Sequence, residues 1–253
     1  MTSVVAPPAT RTETRSRAHE IWRIVRLHCI NPSVFFGIPL IILAGAWAIV
    51  MVIGLIARGA GAAPGDLEDM RYSWAVISPQ WYLVVVGVQA VGLTFSFALG
   101  FGATRRDFWL GTAAMFGLVS VLFAAIIATL VQLEIATNGW GLGVHMFDAL
   151  WYGQGWLTDF YTAFALQALV LFIGAGVTTI YMRWRIPGML IVTAGFAVLL
   201  LGGIAWATLT SSWAAVFSWF ASLGLIGVFS LVLAIAAICA VGGYIVIRRA
   251  TPR

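Results

Sequence analysis

Lysine occurs nowhere among the 253 residues. Its absence excludes a phosphate-loop lysine, a Schiff-base lysine and a lysine general base, and makes ATP hydrolysis on this chain improbable. Charge of either sign is scarce: 9% of residues are charged, against about a quarter in a soluble domain. With 62% hydrophobic residues and a mean hydropathy of +1.00, such a chain cannot cover itself with a water-compatible surface, and it reads as an integral membrane protein. Two cysteines, Cys29 before the first apolar segment and Cys239 inside the last, are too few and too badly placed for a disulfide framework; both read as packing residues. The apolar segments also lack the buried acids and arginines of a proton-driven pump, and no serine, cysteine or histidine is set up as a nucleophile with a base in view.

What the chain has in quantity is apolar runs. A helix needs about 20 apolar residues to cross a hydrocarbon core roughly 30 Å thick, and uncharged runs of that length fall near 34–57, 80–103, 109–133, 160–182, 187–209 and 224–247. The last two form one uncharged run, 186–247, too long for one crossing and divided by Thr208, Thr210, Ser211 and Ser212. The expected fold class is therefore all-α, a polytopic membrane protein with six transmembrane helices.

The arginines orient these spans, because arginine in short loops is retained on the cytoplasmic side. Arg11, Arg15, Arg17, Arg23 and Arg26 precede the first span; Arg105 and Arg106, then Arg183 and Arg185, sit in the second and fourth connections; Arg248, Arg249 and Arg253 end the chain. That puts 12 of the 14 on one face. Arg58 and Arg71, with Asp66, Glu68 and Asp69, fall on the other. The expectation is a multi-pass protein of the cell inner (plasma) membrane with both termini cytoplasmic. Residues 1–17 read as a disordered cytoplasmic tail, 32–250 as the six-span domain, and 251–253 as a short cytoplasmic tail. Residues 18–31 are a different object: Ala18, Ile21, Trp22, Val25 and Cys29 share one helical face while His19, Arg23 and Arg26 share the other, which predicts an interfacial amphipathic helix, ended by Asn31-Pro32.

Polar residues inside the spans are neutral: Gln89, Thr94 and Ser96, then Gln132, Gln167 and Thr178. Each either lines a pathway or bonds to a neighbouring helix. Small residues of the second span, Gly92, Ala98, Gly100 and Gly102, predict a close helix–helix seam, read as a contact between two spanning chains. Of the twelve tryptophans most fall at span ends; Trp47 and Trp206 lie within spans. His145 and Asp148, with Glu134 and Asp159 nearby, suffice to draw a weak metal site, but the spacing favours a solvated polar loop, and no metal is assigned.

An amino-terminal amphipathic helix, six spans with both ends inside, a short loop after the second span reading GATRRDF and an aromatic outer segment SSWAAVFSWFAS together resemble a six-helix permease subunit of the type-2 ABC transporter family, exporter-like. That resemblance implies a dimer of permease chains, homo- or heteromeric, that forms the translocation path and couples to a separate ABC ATPase subunit; ATP and Mg are on that partner, with no cofactor on this chain, no enzymatic site of its own and no nucleic acid. It implies a coupling element at Gly102, Thr104, Arg105, Arg106, Asp107 and Phe108. Gln89, Thr94, Phe95 and Trp206 are candidate substrate-path residues, and Ser212, Trp213, Phe217 and Trp219 fall in the outer gate or re-entrant segment. Two other readings stay open: an ion-coupled secondary carrier, and a non-transport membrane enzyme or scaffold.

Overall fold

The computed structural model describes residues 16–249. Most of the expected tail 1–17, Arg11, Arg15, Arg253 and the tail 251–253 lie outside them. Of the described residues 85% are helical, and none is in a strand. Helix α1 (Arg17–His28) leads through a widened turn, Ser33–Gly37, into α2 (Ile38–Gly59). A short helix α3 (Pro64–Glu68) and two tight turns precede α4 (Ser78–Gly92). Then come α5 (Phe95–Gly100), α6 (Arg105–Ala136), α7 (Trp156–Leu209) and α8 (Trp213–Ile247). Among the described residues, five helical stretches are long and apolar enough to cross a membrane.

The 54 residues of α7 would measure about 80 Å at 1.5 Å per residue, far more than one bilayer core. Arg185 divides them: its φ of 57° and ψ of −147° lie outside the helical region, next to Pro187, which cannot donate the helical hydrogen bond. Residues 156–184 and 186–209 are therefore two limbs. Helix α8 is divided in the same way at Gly224, φ 63° and ψ 179°, a conformation that essentially only glycine adopts.

Side-chain contacts fix the directions of the helices. Gln132 bonds Asp159 and Thr129 bonds Trp156 while Phe116 packs on Phe172, so α6 and the first limb of α7 are antiparallel. Tyr161 meets Ser230, and Gly176 lies beside Cys239, so that limb and the second part of α8 run in the same direction. Helix α4 also runs with it. A Cβ on Gly87 would lie 2.4 Å from the Leu171 carbonyl oxygen, and one on Gly174 would lie 2.3 Å from that of Val84. The small-residue seam of the second apolar span is thus made within the chain: Gly87 and Gly174 bring two backbones together, Gly92 faces the Thr178 methyl, and Ala98 is buried in the same core. Within the chain Ala98 is buried, while Gly92 keeps an exposed surface beside its contact with Thr178.

Two apolar clusters form that core. One surrounds Phe95, Phe108, Phe116 and Phe123; the other joins Val50, Ile127 and Val131 to Val144, Met146 and Phe147 of the α6–α7 connection. Helix α1 packs on α6 by Ile24, Val25 and His28, with Gly111 giving Ile24 room. The packed face is rotated from the one read in the sequence, since Trp22 and Cys29 are exposed. By contrast, limb 186–209 shows Ile191, Leu199 and Leu209 at 72–86% exposure, and within it only Gly188 and Ala207 are buried.

Candidate functional site

The two ends of the bundle carry different chemistry. At one end Thr104 caps α6: its hydroxyl accepts from the Asp107 amide at 3.1 Å and donates to the Asp107 carboxylate at 2.6 Å. Gly102 makes the preceding turn at φ 82°, where a Cβ would be strained. Arg105 donates to the Arg248 carbonyl at the end of α8, 2.9 Å, and Arg23 of α1 donates to the Phe101 carbonyl, 2.9 Å. The 101–107 loop is therefore tied to α1 and α8 as well as to its own helix, and Arg106 stands exposed beside it. Phe108 is different. It is fully buried, 5.2 Å ring to ring from Phe95 and 6.2 Å from His28, so it is core and offers no surface to a docking partner.

Behind this end His28 is buried, and its ring Nε2 lies 3.0 Å from the Thr112 hydroxyl. Burial pushes its pKa down to about 4. Gln89 and Thr94 line a cavity of about 420 Å³ beside it. Phe95, expected on the same path, is fully buried in the core instead, and Trp206 is 61% exposed on the second limb of α7, on neither wall of that cavity.

Residues Ser212 to Trp219 open α8. Trp213 donates its indole N–H to Thr208 at 3.1 Å and stacks on Phe217, while Phe217 and Trp219 are exposed. The break at Gly224 sets residues 213–223 apart from the rest of the helix.

The opposite end holds what the sequence did not reveal. The connection 137–155 is not a solvated polar loop: Glu134 and Asp159 have no exposed surface, and His145 is buried. Glu134 Oε1 accepts three successive backbone N–H groups, from Met146, Phe147 and Asp148 at 2.8–2.9 Å, and Oε2 accepts the Trp140 indole N–H at 2.7 Å. Asp159 accepts from the amides of Gly153 and Gln154 and from the Gln132 side chain. These carboxylates close the connection from both helix ends and supply acceptors for amides that have no ladder partner. Burial above all raises the Tyr152 pKa, with the nearby Asp159 carboxylate adding to it. Arg71 pairs with Asp148 at 3.0 Å, and His145 Nδ1 stands 3.6 Å from Asp148. Among the described residues no three His, Cys, Asp or Glu side chains are grouped to hold a metal ion. The signal for this packing was present in the alternation of Val144, Met146, Phe147, Ala149 and Tyr152, too apolar for a solvated loop. No protein-family model, curated protein or solved structure matches the chain.

Proposed function

We propose that the chain is the membrane-spanning permease subunit of an ATP-driven exporter of the type-2 ABC kind. It crosses the bilayer six times, keeps both termini in the cytoplasm, lays α1 in the cytoplasmic interface and works as a dimer coupled to a separate ATPase. The six-span reading is supported by direction: the first limb of α7 and the second part of α8 are parallel, so limb 186–209 returns the chain between them. The same account takes residues 213–223, ahead of the Gly224 break, as the outer re-entrant segment.

The observation that carries the functional reading is the basic end. A capped, glycine-turned loop with an exposed Arg106 is bonded through Arg23 and Arg105 to the helices on either side. A partner seated on Gly102–Asp107 would therefore move α1, α6 and α8 together, and the chain's lack of lysine supports an energy source on that partner. Arg106→Glu is the direct test, because it reverses an exposed charge without touching the cap or the Arg105 bond. Losing one side of an interfacial charge pair costs about 2–5 kcal/mol, or roughly 30-fold to several thousand-fold in affinity. Purified from its native membrane, the wild-type chain should carry an ATPase subunit with it, and the variant should lose it while eluting as a folded protein. Equal recovery of the ATPase with both would show that the arginine serves orientation alone.

A further inference from the structure

The cavity beside His28 is built at two irregular places in the backbone. On one wall is the widened turn Ser33–Gly37, entered through Asn31, whose side chain accepts from the Ser33 hydroxyl. On the other wall α4 stops at Gly92 and α5 restarts at Phe95, with Thr94 turning its hydroxyl onto the Ala90 carbonyl. Non-helical backbone at membrane depth persists where it is buried in protein or lines a polar cavity. The space is about 420 Å³, inside the range of small-molecule pockets, about 300–1,000 Å³.

Its lining decides what would fit. His28, Asn31, Gln89 and Thr94 are polar, Leu93 and Phe97 are apolar, and among the described residues no Asp, Glu or Arg faces the space. Among the described residues His28 Nδ1 is buried without a hydrogen-bond partner, and the partly buried Gln89 lines the same space. An amide in an apolar span costs free energy unless something bonds it. An ionic head would find no counter-charge here, whereas hydroxyl or amide groups would find donors and acceptors. Leu93 at 72% and Phe97 at 53% exposure stand at the mouth, so the opening faces the surroundings of the bundle rather than its interior.

We propose that this cavity is a binding site for an uncharged amphiphile, an apolar skeleton carrying hydroxyl or amide groups, taken up sideways from the cytoplasmic leaflet and held by Gln89 and Thr94. The export reading above supplies its purpose; binding itself needs no ATPase. Three probes with one alkyl chain and one diazirine serve as the test: a monoacylglycerol, the matching fatty acid and the matching alkyl-trimethylammonium. The full chain is reconstituted in phosphatidylcholine nanodiscs, irradiated and mapped by peptide mass spectrometry.

The monoacylglycerol should label peptides covering 27–35 and 89–97 well above the two charged probes. Replacing Gln89→Leu and Thr94→Val together removes two neutral hydrogen bonds and should weaken that labelling roughly tenfold. Labelling along 190–201 should be unchanged, which reports that the variant is folded. Equal labelling of the cavity peptides by all three heads, or labelling that survives the double substitution, would overturn the site. Either result leaves the co-purification test of the permease reading untouched, and loss of ATPase co-purification would leave a binding site without an export role.

Discussion

Glu134→Gln keeps the shape of the side chain and removes one acceptor. If the amide oxygen stays on the three backbone N–H groups of Met146, Phe147 and Asp148, the new NH2 faces the Trp140 indole N–H across 2.7 Å, donor against donor. A hydrogen bond to a charged group is worth about 1.5–3 kcal/mol and one to a neutral group about 0.5–1.5. One bond lost, about 1.5–3 kcal/mol, and three weakened by about 1–1.5 each therefore come to about 5–7 kcal/mol. At about 2–4 °C per kcal/mol for a chain of this size, the unfolding temperature in detergent should drop by roughly 10–25 °C. Trp140→Phe removes the opposing donor. Combined with Glu134→Gln it should recover roughly 1–2 kcal/mol of the loss, a coupling that a double-mutant cycle isolates. The assay is thermal unfolding followed by size exclusion, on the wild type, both single variants and the double variant. A Glu134→Gln variant within about 2 °C of wild type, or strict additivity with Trp140→Phe, would refute the view that these four donors hold the connection together.

Gly174→Ala would place a methyl 2.3 Å from the Val84 carbonyl oxygen and 2.9 Å from the Val88 nitrogen; both are backbone, so α4 and α7 must part, at a cost of about 1–3 kcal/mol or more, read in the same unfolding assay, whereas Gly195→Ala, with open space around it, should be neutral. Acidification should destabilise the fold between pH 6.5 and about 4, because there the unfolded chain binds a proton at His28 that the buried ring in the folded state refuses. The full window is worth about 3 kcal/mol, and His28→Gln should flatten the slope. For topology, single cysteines at Tyr72 and Thr210, in a background with Cys29 and Cys239 replaced, should react with an impermeant reagent outside intact cells while cysteines at Arg106 and Arg249 should not; outside labelling of Arg106→Cys would sink the orientation. Phe108→Ala should act as a core deletion costing about 3–5 kcal/mol, lowering the unfolding temperature whether or not a partner is present.

The long apolar runs were legible because nothing competes with them: an uncharged stretch of span length has one low-energy solution in a membrane. The division of α7 was legible too, since Arg183, Arg185 and Pro187 interrupt the run. What could not be read was which faces meet. Gly92 and Ala98 advertise close approach, but the sequence does not say to what; the closest backbone approach of this helix is made instead by Gly87, onto Leu171 and Gly174, more than 80 residues further on. Phe108 stands in a charged loop motif and still turns inward, because α6 starts at Arg105 and its first turn directs residue 108 onto Phe95. Glu134 and Asp159 looked like solvated loop charges for the same reason: a carboxylate at a helix end is read as exposed until the connection beyond it is seen to fold back over it.

The fastening of α6 at both ends has a mechanical consequence. A helix of 32 residues is a strut about 48 Å long. Its near end is bolted to α1 and α8, and its far end to the carboxylate-bound connection and to α7. Such a strut transmits a displacement from one end to the other with little lost in bending. Compliance must then reside elsewhere, in the piece whose side-chain hydrogen bonds are all internal and whose joints are Arg185, Ser211 and Gly224. Residues 186–223 are that piece: a largely exposed stretch joined to the frame through those three places.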